Sequence, residues 1–150
     1  MALAPADPGF EQRTRASFAR QGAMAHLGAV LGRVEPGRVE ISLPFRPELS
    51  QQHGFFHAGM IAAIADSAGG YAGFTLFPAD AGVLTVEFKL NLLAAADGEL
   101  AIAQGEVIRS GRTLTVCRID AFVEKQGKRT HCATGTQTLI CLVGRAGVKG

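Results

Sequence analysis

The chain has no tryptophan, one tyrosine and only three cysteines in 150 residues. The cysteines (Cys117, Cys132 and Cys141) are odd in number, lie in apolar strand-like segments and show no CxxC spacing. That excludes a disulfide framework and a zinc ribbon, and leaves them as small buried hydrophobes. Charge is scarce and balanced, with 19% charged residues and a formal net charge of +2. A nucleic-acid surface needs clustered cations to neutralise phosphates, and no such cluster is visible. Apolar runs are interrupted by Gly, Asp or charge well short of the roughly 18 residues a membrane span requires. The opening segment shows no basic stretch followed by an apolar one, so no signal peptide is expected and the expected location is cytoplasmic. His26, His53, His57 and His131 form no recognisable ligand set, so neither a metal nor any other cofactor is expected.

What remains is a globular composition, 47% hydrophobic, in a chain of one-domain size. Residues 1–22 read as a lead-in with a short helix, 23–143 as a single domain and 144–150 as a polar tail. Phe10, Thr14, Phe18, Met24 and Leu27 fit an irregular amphipathic helix. Two short strands follow, near 28–35 and 38–45, joined by Pro36-Gly37. A polar loop then leads into the long apolar segment HAGMIAAIADSAGGYAGFTLF, which ends at Pro78. Beyond it the pattern is β. In 82–93, Leu84, Val86, Phe88, Leu90 and Leu92 alternate with Thr85, Glu87, Lys89 and Asn91, which predicts two opposite faces. Strands at 99–108, 113–125 and 130–143 are separated by Asp97-Gly98, Ser110-Gly111 and Gln126-Gly127, all hairpin signals. One buried helix followed by a strand meander predicts an α+β fold, an antiparallel sheet packed on that helix.

The helix carries the chemical information. Every residue from Ala58 to Ala65 is apolar or Gly, yet Asp66 follows, with no basic residue within a turn to pair with it. A carboxylate there needs partners or a shifted pKa, and it is mid-helix, so capping does not explain it. On a helical wheel, Gly59, Ala62, Ala63, Gly69, Gly70 and Gly73 fall within about 60° of Asp66. Ile61, Ile64, Ala68, Tyr71 and Thr75 lie opposite and are expected to face the sheet. The small-residue face either leaves room for a ligand or lets another backbone approach. At the helix start, His57-Ala58-Gly59 presents unpaired backbone N–H groups suited to an oxyanion. These groups precede Asp66 by about 13 Å of helix, too far for one compact site within one chain. Two antiparallel copies of the helix would bring one copy's start to the other's carboxylate.

The pattern Gln51-x-x-Gly54-x-x-His57-Ala58-Gly59, with Asp66 nine positions after the His, resembles the signature of the PaaI-type hotdog acyl-CoA thioesterases. The likeness runs from about Met24 to Leu142 and includes Leu27-Gly28-Ala29, Pro36-Gly37 and Ser110-Gly111-Arg112-Thr113. It implies a hotdog fold, a sheet wrapped around one central helix, and hydrolysis of aromatic or medium-chain acyl-CoA. It implies that Asp66 is the general base or nucleophile, Gln51 the amide near the thioester oxygen, and Ala58 the backbone N–H that polarises that oxygen. His57 would position the loop, and Thr85 would help Asp66 hold a water. Gly59, Phe55, Phe56 and Arg112 become candidate substrate-binding residues, and Arg109, Lys125, Lys128 and Arg129 further candidates for the CoA phosphates. Coenzyme A would be part of the substrate, not a cofactor. The family assembles as homodimers that often pair into homotetramers. Ala58 departs from the family's His-Gly-Gly, which would cost strain if that position required positive φ. Two other functions use the same fold: a hydratase or dehydratase pairing His57 with the acid, and a non-catalytic acyl-CoA-binding protein.

Overall fold

The computed structural model describes residues 3–150; residues 1 and 2 of the expected lead-in lie outside it. Helices α1 (Phe10–Ala19) and α2 (Gly22–Leu27) precede strands β1 (Val30–Glu35) and β2 (Arg38–Pro44). A single 3-10 turn, Pro47–Leu49, leads toward helix α3 (Ala58–Phe74). Strands β3 (Ala81–Leu92), β4 (Leu100–Ser110), β5 (Leu114–Lys125) and β6 (Lys128–Val143) complete the chain. The six strands form one antiparallel sheet in the order β1-β2-β4-β5-β6-β3. The sheet carries α3 on one face, which is the hotdog arrangement expected. Among the described residues, no helix is long and apolar enough to cross a membrane.

The expected helix over 10–27 is two helices. Gln21 adopts an extended conformation (φ −77°, ψ 97°) between them, and its side chain accepts a hydrogen bond from Ser67 Oγ at 3.1 Å. The break lets the segment bend onto α3. Phe18 meets the edge of Tyr71 at 5.9 Å between ring centroids, and the Arg13 guanidinium lies 4.1 Å from the centre of the Phe74 ring. Two of the three hairpin signals, Ser110-Gly111 and Gln126-Gly127, join paired strands as expected. Asp97-Gly98 instead joins β3 to β4, which are not neighbours, because β3 pairs only with β6 at the sheet edge while β4 lies between β2 and β5. At the tightest, Gln126 and Gly127 both take positive φ (49° and 76°) between the paired Lys125 and Lys128.

Packing between α3 and the sheet is close because glycine stands at the contacts. A Cβ on Gly105 of β4 would overlap the backbone of Ala68 and Gly69. A Cβ on Gly69 would run into Gln137 and Ile119, and one on Gly73 into Leu139. This corrects the wheel reading: Gly69 and Gly73 face the sheet together with Ile61, Ile64 and Ala68, all buried. Only Gly70 of the three faces open space, where an added Cβ would meet nothing within 4 Å.

Strand β3 also departs from expectation. Pairing with β6 runs from Thr85↔Leu139 to Glu87↔Thr138, so Val86 is an extra residue in a β-bulge. A bulge reverses the parity of a strand beyond it. Thr85 is opposite Leu139, and Phe88 is opposite Gln137. Both partners touch α3, so Thr85 and Phe88 point to the helix side, and Leu84 points away. Four apolar residues of β3 are not buried by the chain: Leu84, Val86, Phe88 and Leu92 are 42–59% exposed on this edge strand.

All three cysteines are free thiols. Burial pushes the Cys117 thiol up to about 12 and that of Cys132 to about 11. Unfolded thiols titrate near 8.5, so above that pH the unfolded chain releases protons that the folded chain still holds. The stability linked to these groups is fully present below about pH 8.5 and falls as pH rises toward 11–12. Native protein treated with an aromatic disulfide reagent at pH 8 should show no fast reaction at Cys117 or Cys132, whereas denatured protein should react at all three cysteines. Fast modification of Cys117 in the native state would contradict its burial. A second test concerns packing. Gly105→Val should cost at least about 2 kcal/mol in urea denaturation, because the added carbons meet backbone that cannot rotate away.

Candidate active site

The start of α3 is built around His57. Its extended backbone (φ −63°, ψ 137°) makes it the N-cap, and its Nδ1 accepts the Gly59 N–H at 2.8 Å. A Cβ at Gly59 would sit 3.0 Å from that nitrogen, so glycine there lets the imidazole close over the helix end. The ring is engaged as a cap, which leaves Nδ1 unavailable as a base. Ala58 is the first helical residue, and its N–H has no partner among the described residues. Gln126 is the sole non-glycine residue with positive φ among them. Ala58 therefore carries none of the strain that its departure from His-Gly-Gly raised.

Gln51 stands beside this N-terminus. Its Oε1 accepts the backbone N–H groups of His53 at 2.5 Å and Phe55 at 3.4 Å. The amide oxygen is thus turned into its own loop, while Nε2 has no partner among the described residues and remains a donor. Gln51 and Ala58 line one cavity of about 330 Å³ with Phe55, Phe56, Ile61 and Leu92. Phe55 is half-buried there. Phe56 is 3% exposed and packs edge-on against Phe45 at 5.1 Å, so it serves the core as well as the cavity wall.

Two turns further along α3, Asp66 meets β3 and β6. Thr85 Oγ1 donates to Asp66 Oδ1 at 2.7 Å. Gln137 Nε2 donates to the same oxygen at 2.6 Å, and to the Asp66 carbonyl oxygen at 3.0 Å. The same nitrogen is 3.1 Å from Thr85 Oγ1. These donors are the partners that a carboxylate on an apolar helix needs. Asp66 and Thr85 line a second cavity, about 460 Å³, with Gln21, Ser67, Gly70 and Tyr71. The Tyr71 hydroxyl lies 3.2 Å from Ser17 Oγ, and burial pushes its pKa up, which keeps it protonated.

The structure brings Asp66 and Thr85 together, and separately brings Gln51, Ala58, Phe55 and Phe56 together at the His57-Gly59 helix start. These two groups line different cavities of one chain. Eight residues of helix, about 12 Å, separate Ala58 from Asp66. Arg112 belongs to neither group: it is exposed in the β4–β5 turn and makes no hydrogen bond or ion pair among the described residues. Lys125 pairs with Asp97 and Arg129 with Glu124, so two of the other cations considered for CoA phosphates are engaged locally.

Gln137 was missed from the sequence. It is fully buried and belongs to the row of β6 that faces α3, with Ala133, Gly135 and Leu139. Between Ala133 and Leu139 it is the sole hydrogen-bonding side chain in that row, and strand parity over that stretch contains that signal. Its meaning depends on Asp66, 71 positions away in sequence.

The model of the thioesterase superfamily matches residues 53–130, a span that contains the helix start, Asp66 and Thr85. A solved thioesterase family protein from Silicibacter pomeroyi is 48% identical, with 91% of this chain and 100% of that one covered and a TM-score of 0.89. The proofreading thioesterase EntH of Klebsiella pneumoniae is 29% identical over 118 residues, which cover 77% of this chain and 85% of EntH. The PaaI protein of Escherichia coli, at 18% identity, shares the fold over 93% of this chain and 95% of its own, with a TM-score of 0.76. The chain belongs to the thioesterase superfamily, as a hotdog protein of the thioester-hydrolase class.

Proposed function

We propose that the protein hydrolyses acyl-CoA thioesters, aromatic or medium-chain, with Asp66 as the reacting carboxylate and the Ala58 N–H as the oxyanion donor. The observation that carries this reading is the Asp66 cluster: a carboxylate on a buried helix, held by Thr85 and Gln137 and facing a cavity. A protein that only binds acyl-CoA has no need of that arrangement. A hydratase pairing His57 with the acid is disfavoured, because His57 Nδ1 is taken up as the helix cap.

Water adds to the thioester carbonyl carbon while Asp66 takes a proton from it. The oxyanion that forms is stabilised by the Ala58 N–H, the start of the α3 dipole and the free Gln51 Nε2. Collapse of this intermediate breaks the C–S bond. The proton held by Asp66 passes to the departing sulfur, giving the carboxylic acid and CoA. As a nucleophile, Asp66 would instead attack that carbon itself, expel CoA thiolate and form an anhydride that water then opens. The acyl group would occupy the apolar cavity beside Phe55 and Leu92.

One chain does not complete this site, and a second copy would. The uncovered edge of β3 carries Leu84, Val86, Phe88 and Leu92 between the two cavities, an apolar surface with free backbone groups along it. Pairing two such edges antiparallel about a two-fold axis would cover both and lay the start of one α3 against Asp66 of the other. Homodimers built this way, pairing further into tetramers, are part of the proposal.

Asp66→Ala should lower kcat for acyl-CoA hydrolysis by at least about 10²-fold with the fold retained. Thiol release from a panel of aromatic and aliphatic acyl-CoAs measures this, and near-wild-type turnover in the variant would refute the assignment. Ala58→Pro removes the proposed oxyanion N–H at a helix position where proline is well tolerated. It should lower kcat by about 10²–10³-fold. The two variants also test the shared site. If equal amounts are denatured and refolded together, half the dimers are mixed, and each mixed dimer holds one intact site. Activity should then return to about one quarter of wild type. A mixture as inactive as its parents would place the whole site within one chain.

A further inference from the structure

We propose that Gln137 is a positioning residue for the reaction: it fixes the Asp66 carboxylate with Oδ1 occupied and Oδ2 as the single working oxygen. The inference rests on Asp66 being the reacting group.

Three observations converge on Gln137. The first is how the two carboxylate oxygens differ. Oδ1 accepts from both Thr85 Oγ1 and Gln137 Nε2, at 2.7 and 2.6 Å, whereas Oδ2 has no hydrogen-bond partner among the described residues. The amide also holds the Asp66 carbonyl oxygen at 3.0 Å, so it grips side chain and backbone of one residue together. An oxygen already accepting two hydrogen bonds is a poor site for a third proton, which leaves Oδ2 to meet water or the thioester.

The second is the imperfect fit of Gln137 itself. The side chain is fully buried, yet its Oε1 has no hydrogen-bond partner among the described residues. Burying an unsatisfied carbonyl is destabilising. The surrounding row of β6 is otherwise Ala133, Gly135 and Leu139, where an apolar side chain of similar volume would avoid that cost. The orientation is imposed by the carboxylate, since the opposite flip of the amide would set oxygen against Asp66 Oδ1 and its carbonyl oxygen. The packing sacrifices one hydrogen bond of the amide to keep its N–H groups on Asp66 and Thr85.

The third is Gly69. A Cβ there would overlap Gln137 Oε1 and crowd Ile119. Glycine inside a helix is unfavourable relative to alanine, and this glycine clears the space in which the Gln137 amide lies. The chain of contact therefore runs from Gly69 to Gln137 to Asp66, and only Asp66 faces the cavity.

Gln137→Met keeps the volume and removes the donor. In this variant kcat for acyl-CoA hydrolysis should fall by about 10–100-fold with KM within about twofold of wild type, the signature of a misplaced reacting group. A direct readout is the pair of three-bond NMR couplings, from N and from C′ to Cγ, that report Asp66 χ1. Wild type should show a single rotamer and the variant averaged values. Gly69→Ala leaves both partners chemically intact and should reproduce both effects, and it decides the matter if Gln137→Met does not fold. Unchanged Asp66 couplings in a folded variant would overturn the proposal whatever the activity. Averaged couplings with kcat unchanged would also overturn it, because the fixed orientation would then not matter to the reaction. If wild type hydrolyses no acyl-CoA, the functional reading fails, while the couplings still decide whether Gln137 fixes Asp66.

Discussion

The close approach of α3 to the sheet is the constraint on which the rest of the structure depends. Gly105 of β4 lets the strand lie against the helix backbone at Ala68, and Gly69 and Gly73 admit Gln137 and Leu139 from β6. Helix glycine is costly in isolation, but the contact buries Ile61, Ile64 and Ala68 completely or nearly so. It also decides where Asp66 stands. With the helix this close, a carboxylate at its flank falls within hydrogen-bonding distance of β3 and β6, whose side chains supply the donors it would otherwise lack.

That proximity makes an acid tolerable on an apolar helix. Water is replaced as donor by Thr85 and Gln137, both carried on strands and therefore fixed in place. The bulge at Val86 belongs to the same arrangement. Without it, Thr85 and Phe88 would point to opposite faces of the sheet; with it, a hydroxyl beside Asp66 and an apolar stretch further along share the helix side. The stretch beyond the bulge leaves the chain's own core and forms part of an uncovered edge. The feature that places Thr85 thus also shapes the surface through which a second copy is proposed to complete the site.

The start and the middle of α3 contribute different chemistry for a simple geometric reason. Free N–H groups exist only in the first turn of a helix, whereas contacts with strand side chains are available only where the helix lies over the sheet. His57 settles the helix start by capping Gly59, which leaves the Ala58 N–H exposed and unpaired. Asp66 lies two turns on, over β6 and β3. A helix is stiff, so one chain cannot fold these two groups together, and the proposed two-fold arrangement follows from that stiffness.

Much of this was legible in the sequence because it is local. Alternation in the strands, glycine at the hairpins and an all-apolar helix interrupted by one acid are patterns a few residues long, and they determined the α+β class, the order of elements from the first strand onward and the singling out of Asp66. The spacing from Gln51 to Gly59 likewise placed the helix start and its free N–H. Only the tertiary structure decided which face of α3 meets the sheet, since an almost uniformly apolar helix offers little periodicity to orient it. The placement of Gly69 and Gly73 on the face turned away from the sheet failed for that reason. The bulge at Val86 was equally hidden, because Leu84, Val86 and Phe88 alternate in sequence whether or not the pairing slips. Gln137 depended on the tertiary structure most of all: a glutamine on a strand means little until the fold carries it to an acid 71 residues away, and only that contact makes its buried amide chemically necessary.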